Sequence, residues 1–202
     1  MKKYVIVDGR TAEAETVSIG INDLSEIIGS LDEKERALFI GADGIDFKTG
    51  IGIAAGCRLA AAAWVGAPTD DTGFYPRIGG EALSLYFVTA PDCRHQGLAG
   101  EVIKLLDDIL PYAKTYCAVA PSNQRAISVL IRNGRSLCSR RFTVDMHLRY
   151  VLVRLPDDRA LFSDYRRIHL HDSYLITRSL AEGYRGMAVW GGDGCRYLWM
   201  AK

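Results

Sequence analysis

The residues with the clearest chemical potential are Arg94-His95-Gln96-Gly97-Leu98-Ala99-Gly100. They follow an apolar stretch that stops at Pro91. They open a segment in which Leu98, Val102, Leu105, Leu106, Ile109 and Leu110 recur at helical spacing, with Glu101, Lys104, Asp107 and Asp108 on the other face. The first amides of such a helix have no carbonyl partner within it, and the helix dipole adds partial positive charge there. Gly97, Ala99 and Gly100 keep the side chains small, so a pyrophosphate can approach the backbone, and Arg94 adds a charge beside it. Without a ligand, the same residues make a glycine-rich strand-to-helix turn.

Two other patterns compete for chemistry. Gly50-x-Gly52-x-x-x-Gly56, with Asp70 about 20 residues on, is similar to a dinucleotide fingerprint. The preceding stretch, Asp46–Thr49, is polar and interrupted, and Arg58 and the alanines after it suit a hairpin. Cys93 beside Arg94 and His95 has the surroundings of an activated thiol, but no base pattern supports a nucleophile, so packing is favoured. The five cysteines contain no C-x-x-C and the four histidines are scattered, which leaves no zinc spacing and suggests reduced thiols and a cytoplasmic setting.

These residues need elements to position them. Tyr4–Val7 is a short strand. Asn22 and Ser30 are expected as helix N-caps, Ser30 through the S-x-x-E pattern ending at Glu33, with helices over 23–29 and 31–40. Ile51–Ala54 and Leu59–Val65 form a hairpin around a turn at 55–58, and 66–80 is a loop. Ala82–Thr89 is a buried strand. After the Leu98 helix, Thr115–Ala120 is a strand, and Pro121-Ser122-Asn123 starts a helix that stops at Asn133-Gly134. Phe142–Leu155 alternates as one long strand. Arg166–Leu170 is a strand and Asp172–Glu182 a helix. Met187–Trp190 and Arg196–Met200 form a hairpin. The class is α/β, or α+β with a mixed sheet.

The order of Arg94-x-x-Gly97-x-Ala99, a helix, a strand, and Asn123-Gln124-Arg125-Ala126 resembles the GCN5-related N-acetyltransferase (GNAT) family. The resemblance covers roughly 20–155 and includes the hairpin before the core. It implies a central mixed, mostly antiparallel sheet flanked by helices, with residues 1–155 as an acyl-CoA-binding catalytic domain and 156–202 as a C-terminal β/α extension packed on it. It also implies acetyl-CoA as co-substrate, and an amine-bearing small molecule, protein or peptide as acceptor. The amides of Gln96, Gly97, Leu98, Ala99 and Gly100 would hold the pyrophosphate, with Arg94 and His95 nearby. The backbone of Phe87 and Val88 would bond the pantetheine arm as an added strand, and Asn123 would reach the pantetheine or phosphate region. Glu81 is the candidate base and Tyr86 lies on the same strand. Two positions depart from the family pattern. Leu130 stands where a tyrosine often serves as general acid, and Gly134-Arg135 stands where Gly-Phe is common.

That departure directs attention to the last fifty residues, dense in Tyr165, Tyr174, Tyr184, Trp190, Tyr197 and Trp199. They read either as a sheet extension or dimer surface, or as the source of the missing proton donor. For the donor, Tyr174 is the first choice, ahead of Tyr165, His169 and His171. A non-catalytic acyl-CoA-binding module and a protein-interaction domain using these aromatics are the competing classes. Composition bounds all three readings. The chain has 202 residues, 49% hydrophobic and 24% charged, which is enough to bury a core. With 25 Lys+Arg against 24 Asp+Glu, the net charge of +1 argues against a nucleic-acid binder. The stretch Ile51–Pro68 is mostly Gly and Ala, too weakly apolar for a membrane span. The run after Lys2 and Lys3 is too short for a signal peptide. Loop residues Asp70 and Asp71 hint at a cationic acceptor.

Overall fold

A computed structural model describes residues 3–36, 47–66, 82–142, 146–154, 162–191 and 195–202. These fall into two compact units, the first within 1–67 and 83–111, the second within 68–82 and 112–202.

The first unit is built on a sheet in the order β1-β2-β3-β4-β5, formed by Lys3–Val7, Arg10–Ile19, Thr49–Ala55, Arg58–Gly66 and Leu83–Thr89. Each of its ladders is antiparallel. β4 is buried along nearly its whole length, from Leu59 through Ala60–Ala63 to Trp64 and Val65. A strand buried on both faces reads as a continuous apolar run, and it needs cover from both sides. Helices α1 (Ile21–Gly29) and α3 (Leu98–Ile109) both pack on it. The four alanines keep those helices close. Among the described residues between α1 and the hairpin, Glu33–Arg36 is helical, α2; from 37 onward, the helix expected over 31–40 lies outside the described residues.

Several expectations are corrected here. β2 was not anticipated, although Asp8-Gly9 between two short runs is a strong hairpin signal. Both residues have positive φ, 49° and 73°, as the tight turn between β1 and β2 requires. Asn22 lies inside α1, whose N-cap is Gly20, and Ser30 is its C-cap. Asp32, not Ser30, caps the next turn, accepting the Glu35 amide at 2.8 Å. The glycines of the dinucleotide-like pattern serve packing. A Cβ on Gly52 would meet Leu59 Cδ1 at 2.4 Å and Ile19 Cγ2 at 2.9 Å, and one on Gly50 would meet Trp64 Cβ at 2.9 Å. Gly56, with φ of 63°, turns the hairpin. On α3 the buried stripe is Leu98, Val102, Ile103 and Leu106; Ile109 is half exposed.

The second unit has the order β6-β8-β7-β10-β11-β9: Thr115–Val119, Leu148–Arg154, Ser136–Phe142, Arg185–Trp190, Tyr197–Ala201 and Tyr165–His169. Its ladders are antiparallel too. Helix α4 (Gln124–Arg132) packs on β10, β7 and β8, and α5 (Ser173–Ala181) on β7. Phe142–Leu155 is not one strand. The chain reverses, and Phe142 at the end of β7 faces Leu148 at the start of β8. No Gly, Pro or Asn marks the reversal, so the alternation hid it. The strands and helix after residue 162 continue the same sheet, since β10 pairs with β7. Among the described residues, no helix is long and apolar enough to cross a membrane.

Gly52→Val places a branched side chain where 2.4 Å is available. It should destabilise the protein by about 1–3 kcal/mol, the usual cost of overpacking, whereas Gly29→Ala, with open space around its Cβ, should be close to neutral. Thermal denaturation of the two variants checks this.

Candidate functional site

The glycine-rich segment is assembled at the end of β5. Ala90 leads into a 3-10 turn, Pro91–Cys93, and the chain then passes through His95 and Gly97 in left-handed conformation, φ 66° and 80°. Gly97 is the N-cap of α3 and offers no side-chain cap. The first intrahelical bonds run from the amides of Gly100 and Glu101 to the Gly97 carbonyl, at 3.1 and 3.3 Å. The amides of Leu98 and Ala99 precede them and have no carbonyl inside the helix to bond. Nothing lies within 4 Å of a Cβ built on Gly97, so the space beside the N-cap is open. Such a helix start has the amides and partial positive charge that an anion could use.

The side chains of the loop are occupied differently. Arg94 Nη2 donates to Glu35 Oε2 of α2 at 2.8 Å. Gln96 makes two 2.7 Å bonds with β1: its Nε2 donates to the Ile6 carbonyl, and its Oε1 accepts the Ile6 amide. Asp92 accepts the Asp8 amide at 3.2 Å and takes both Nη1 and Nη2 of Arg58, at 2.9 and 3.1 Å. Burial alone would raise the Asp92 carboxyl. The hydrogen bonds from backbone amides and the Arg58 charge outweigh it and hold Asp92 below the usual carboxylate value. The stabilisation it supplies is therefore present above the ordinary carboxylate range and is lost as pH falls below it. Arg58, Asp92 and the side-chain role of Gln96 had no signal in the sequence, because Gln96 bonds the backbone of Ile6, 90 positions away, and Arg58 bonds the carboxylates of Asp8 and Asp92, 50 and 34 positions away.

On β5, Phe87 pairs with Ala63 and Val88 with Ala62 of β4. Tyr86 stacks on Trp64, with centroids 5.4 Å apart, and so belongs to the packing of the sheet. Glu81 lies outside the described residues, as do Asp70 and Asp71. Cys93 is fully buried, and burial pushes its thiol up, opposite to activation.

In the second unit Asn123 is the N-cap of α4, its Oδ1 accepting the Ala126 amide at 3.1 Å. Cys117 on β6 is buried and its thiol is pushed up to about 12 by that burial. Leu130 is fully buried among the core residues of α4. The C-terminal candidates separate. His171 is hydrogen-bonded to Gln124, the first residue of α4, and its ring stacks on His169 at 5.1 Å. Tyr174, on the first turn of α5, is 71% exposed and Tyr165 is 60% exposed. Tyr184 is buried and bonded to Asp164. Trp190, Trp199, Tyr197 and Arg167 line a shallow concavity of about 470 Å³ on the outer face of β9–β11. Among the described residues, no three His, Cys, Asp or Glu side chains converge on a metal-sized point.

No protein-family model matches the chain, and no curated protein matches it in sequence. Solved structures do match. Aminoglycoside acetyltransferase AAC(6')-Ib with ribostamycin and coenzyme A superposes with a TM-score of 0.54 at 14% identity, covering 73% of this chain and 98% of that one. An acetyltransferase of the GNAT family from Streptococcus pneumoniae gives 0.52 at 12% identity, over 71% and 100%. An uncharacterized Bacillus halodurans protein gives 0.52 at 11%, over 75% and 89%. At these identities the likeness is one of fold.

The burial pattern makes a direct test of the thiols. Cys57 and Cys195 are exposed, and Cys93 and Cys117 are buried. Under native conditions a maleimide should label the first pair and spare the second, with mass spectrometry as the readout. Rapid labelling of Cys93 would reinstate it as an activated thiol.

Proposed function

We propose that this chain, which has the fold of the GCN5-related N-acetyltransferases, transfers an acetyl group from acetyl-CoA to an amine acceptor. The observation that carries the reading is the start of α3. It combines a left-handed Gly97, free amides at Leu98 and Ala99, and open space where the Gly97 side chain would stand. An uncapped helix N-terminus suits a pyrophosphate bridge, which brings two negative charges and several acceptor oxygens. Coenzyme A in the complexes of AAC(6')-Ib supports the same reading.

In this reading the backbone of Phe87 and Val88 receives the pantetheine arm as an added strand would, and Asn123 contributes from α4. The acceptor nitrogen attacks the thioester carbonyl, a C–N bond forms, the C–S bond breaks, and the thiolate leaves. Glu81 takes the amine proton, directly or through water. A thiolate is a good leaving group at neutral pH, since a free thiol titrates near 8.5, so its proton donor accelerates the step modestly. Tyr174 and His171 are the two donors assigned, the first on α5, the second held against Gln124 of α4.

Acetyl-CoA should raise the melting temperature of the protein, because a ligand that binds only the folded state stabilises it. Gly97→Glu puts a carboxylate into the cradle and a side chain at φ of 80°; the variant should stay folded and lose the shift. The competing reading, an interaction domain built on the C-terminal aromatics, has no CoA affinity, so an absent shift at millimolar acetyl-CoA would favour it.

With an acceptor found by a free-thiol assay over an amine panel, Glu81→Gln should lower kcat by about 10²–10⁴-fold with little change in acetyl-CoA affinity. Tyr174→Phe and His171→Gln distinguish the donors. The variant that removes the donor lowers kcat and leaves KM for acetyl-CoA in place. Two silent variants would mean that the thiolate takes its proton from solvent.

A further inference from the structure

The loop that precedes α3 uses its own polar side chains to hold on to β1. Gln96 presents a carboxamide to the Ile6 peptide group, donating to its carbonyl and accepting from its amide, both at 2.7 Å. This is the pattern one strand residue makes with its neighbour in an antiparallel pair. Asp92, four residues earlier, accepts the amide of Asp8, which opens the turn after β1, and the Arg58 guanidinium bridges Asp92 to the Asp8 carboxylate at 3.1 Å. The loop is thus fixed at both ends of its left-handed stretch to an outer edge strand of the unit. Holding a non-glycine residue such as His95 at φ of 66° costs free energy and persists only where neighbouring bonds over-determine the backbone.

From this we infer that β1 is a working part of the anion site: it acts as a strap, and Gln96, Asp92 and Arg58 are positioning residues that keep the amides of Gly97, Leu98 and Ala99 aimed outward. The ligand receives backbone amides, while the side chains of Asp92, Arg94 and Gln96 bond to the protein. The inference rests on the acyl-CoA reading above. It adds that affinity for the pyrophosphate depends on residues 3–10, which contribute no atom to that cradle.

Two features make the strap testable. Ile6 donates its amide outward to Gln96, so proline at that position removes the donor without taking an amide from the pairing with β2. Arg58 and Asp8 are both at the surface, and the strap can be loosened there without opening the core. Coupling is also reciprocal: if the strap favours CoA binding, bound CoA must favour the strap.

The experiment is calorimetric titration of the full chain with CoA and with pantetheine, which has no pyrophosphate, for the wild type, Gln96→Met, Ile6→Pro and Arg58→Met. Hydrogen exchange of the Ile6 and Asp8 amides is measured with and without CoA. Two lost hydrogen bonds at this site should weaken CoA binding roughly tenfold, and by more than they weaken pantetheine binding. CoA should slow exchange at Ile6 and Asp8 in the wild type. Ile6→Pro keeps the chemistry of the loop intact and carries the test if Gln96→Met fails to fold. Folded variants that bind CoA as the wild type does, or equal losses for CoA and pantetheine, would overturn the strap and leave the acyl-CoA reading standing. A wild type with no affinity for CoA would overturn both.

Discussion

The start of a helix always leaves amides that no carbonyl of the helix can reach, and at α3 the N-cap beside them is Gly97, with open space where its side chain would stand. Most helices blunt this end with a Ser, Thr, Asp or Asn side chain. Helix α4 does so with Asn123 and α5 with Asp172. Helix α3 has Gly97 there, which has no side chain to offer. The residues that could have capped it, Asp92 and Gln96, bond instead to β1 and Arg58. An uncapped N-terminus beside two polar side chains engaged elsewhere is compatible with an outside anion completing the helix.

Keeping such an end open requires a rigid helix behind it. Leu98, Val102, Ile103 and Leu106 of α3 are buried against strands that include β4. β4 in turn presents alanine at four successive positions, so α1 and α3 meet a strand with little relief. Gly50 and Gly52 on β3 serve the same flatness from the side, since a Cβ on either would collide with Ile19, Leu59 or Trp64. The glycine spacing that mimics a nucleotide fingerprint is therefore accounted for by close packing at Gly50 and Gly52 and by the turn at Gly56.

What could be read from the residues follows a physical division. Helices α3 and α4 were legible because their buried stripes keep the helical period and because Gly97 and Asn123 mark their starts. The β3–β4 and β10–β11 hairpins were legible from apolar runs around glycines. β2 escaped because Arg10–Ile19 buries only its last residue; an exposed strand in a curved sheet has no apolar alternation to show. The reversal between β7 and β8 escaped because Met146 reaches φ of 61° without a glycine. In the candidate site the backbone cradle was legible, since helix-start amides follow from the chain itself. The side-chain fastenings of Arg94, Gln96 and Asp92 were not, since each depends on a partner that only the folded backbone brings near.

The same division bears on Leu130. Its side chain is fully buried between Ile127 and Ile131 of the core stripe of α4, the helix packed on β10, β7 and β8. A tyrosine hydroxyl at that depth would need a buried partner or would cost about 1–3 kcal/mol unsatisfied. Leucine there is what the packing of the second unit asks for, and β10, one of the strands α4 covers, belongs to the segment that follows the GNAT-like part of the chain. That segment also carries β9 and α5, and with them His171, whose ring meets Gln124 at the first turn of α4. Helix α4, in which Leu130 is buried, thus packs in part on β10 of that segment, and His171 of the same segment meets its first residue.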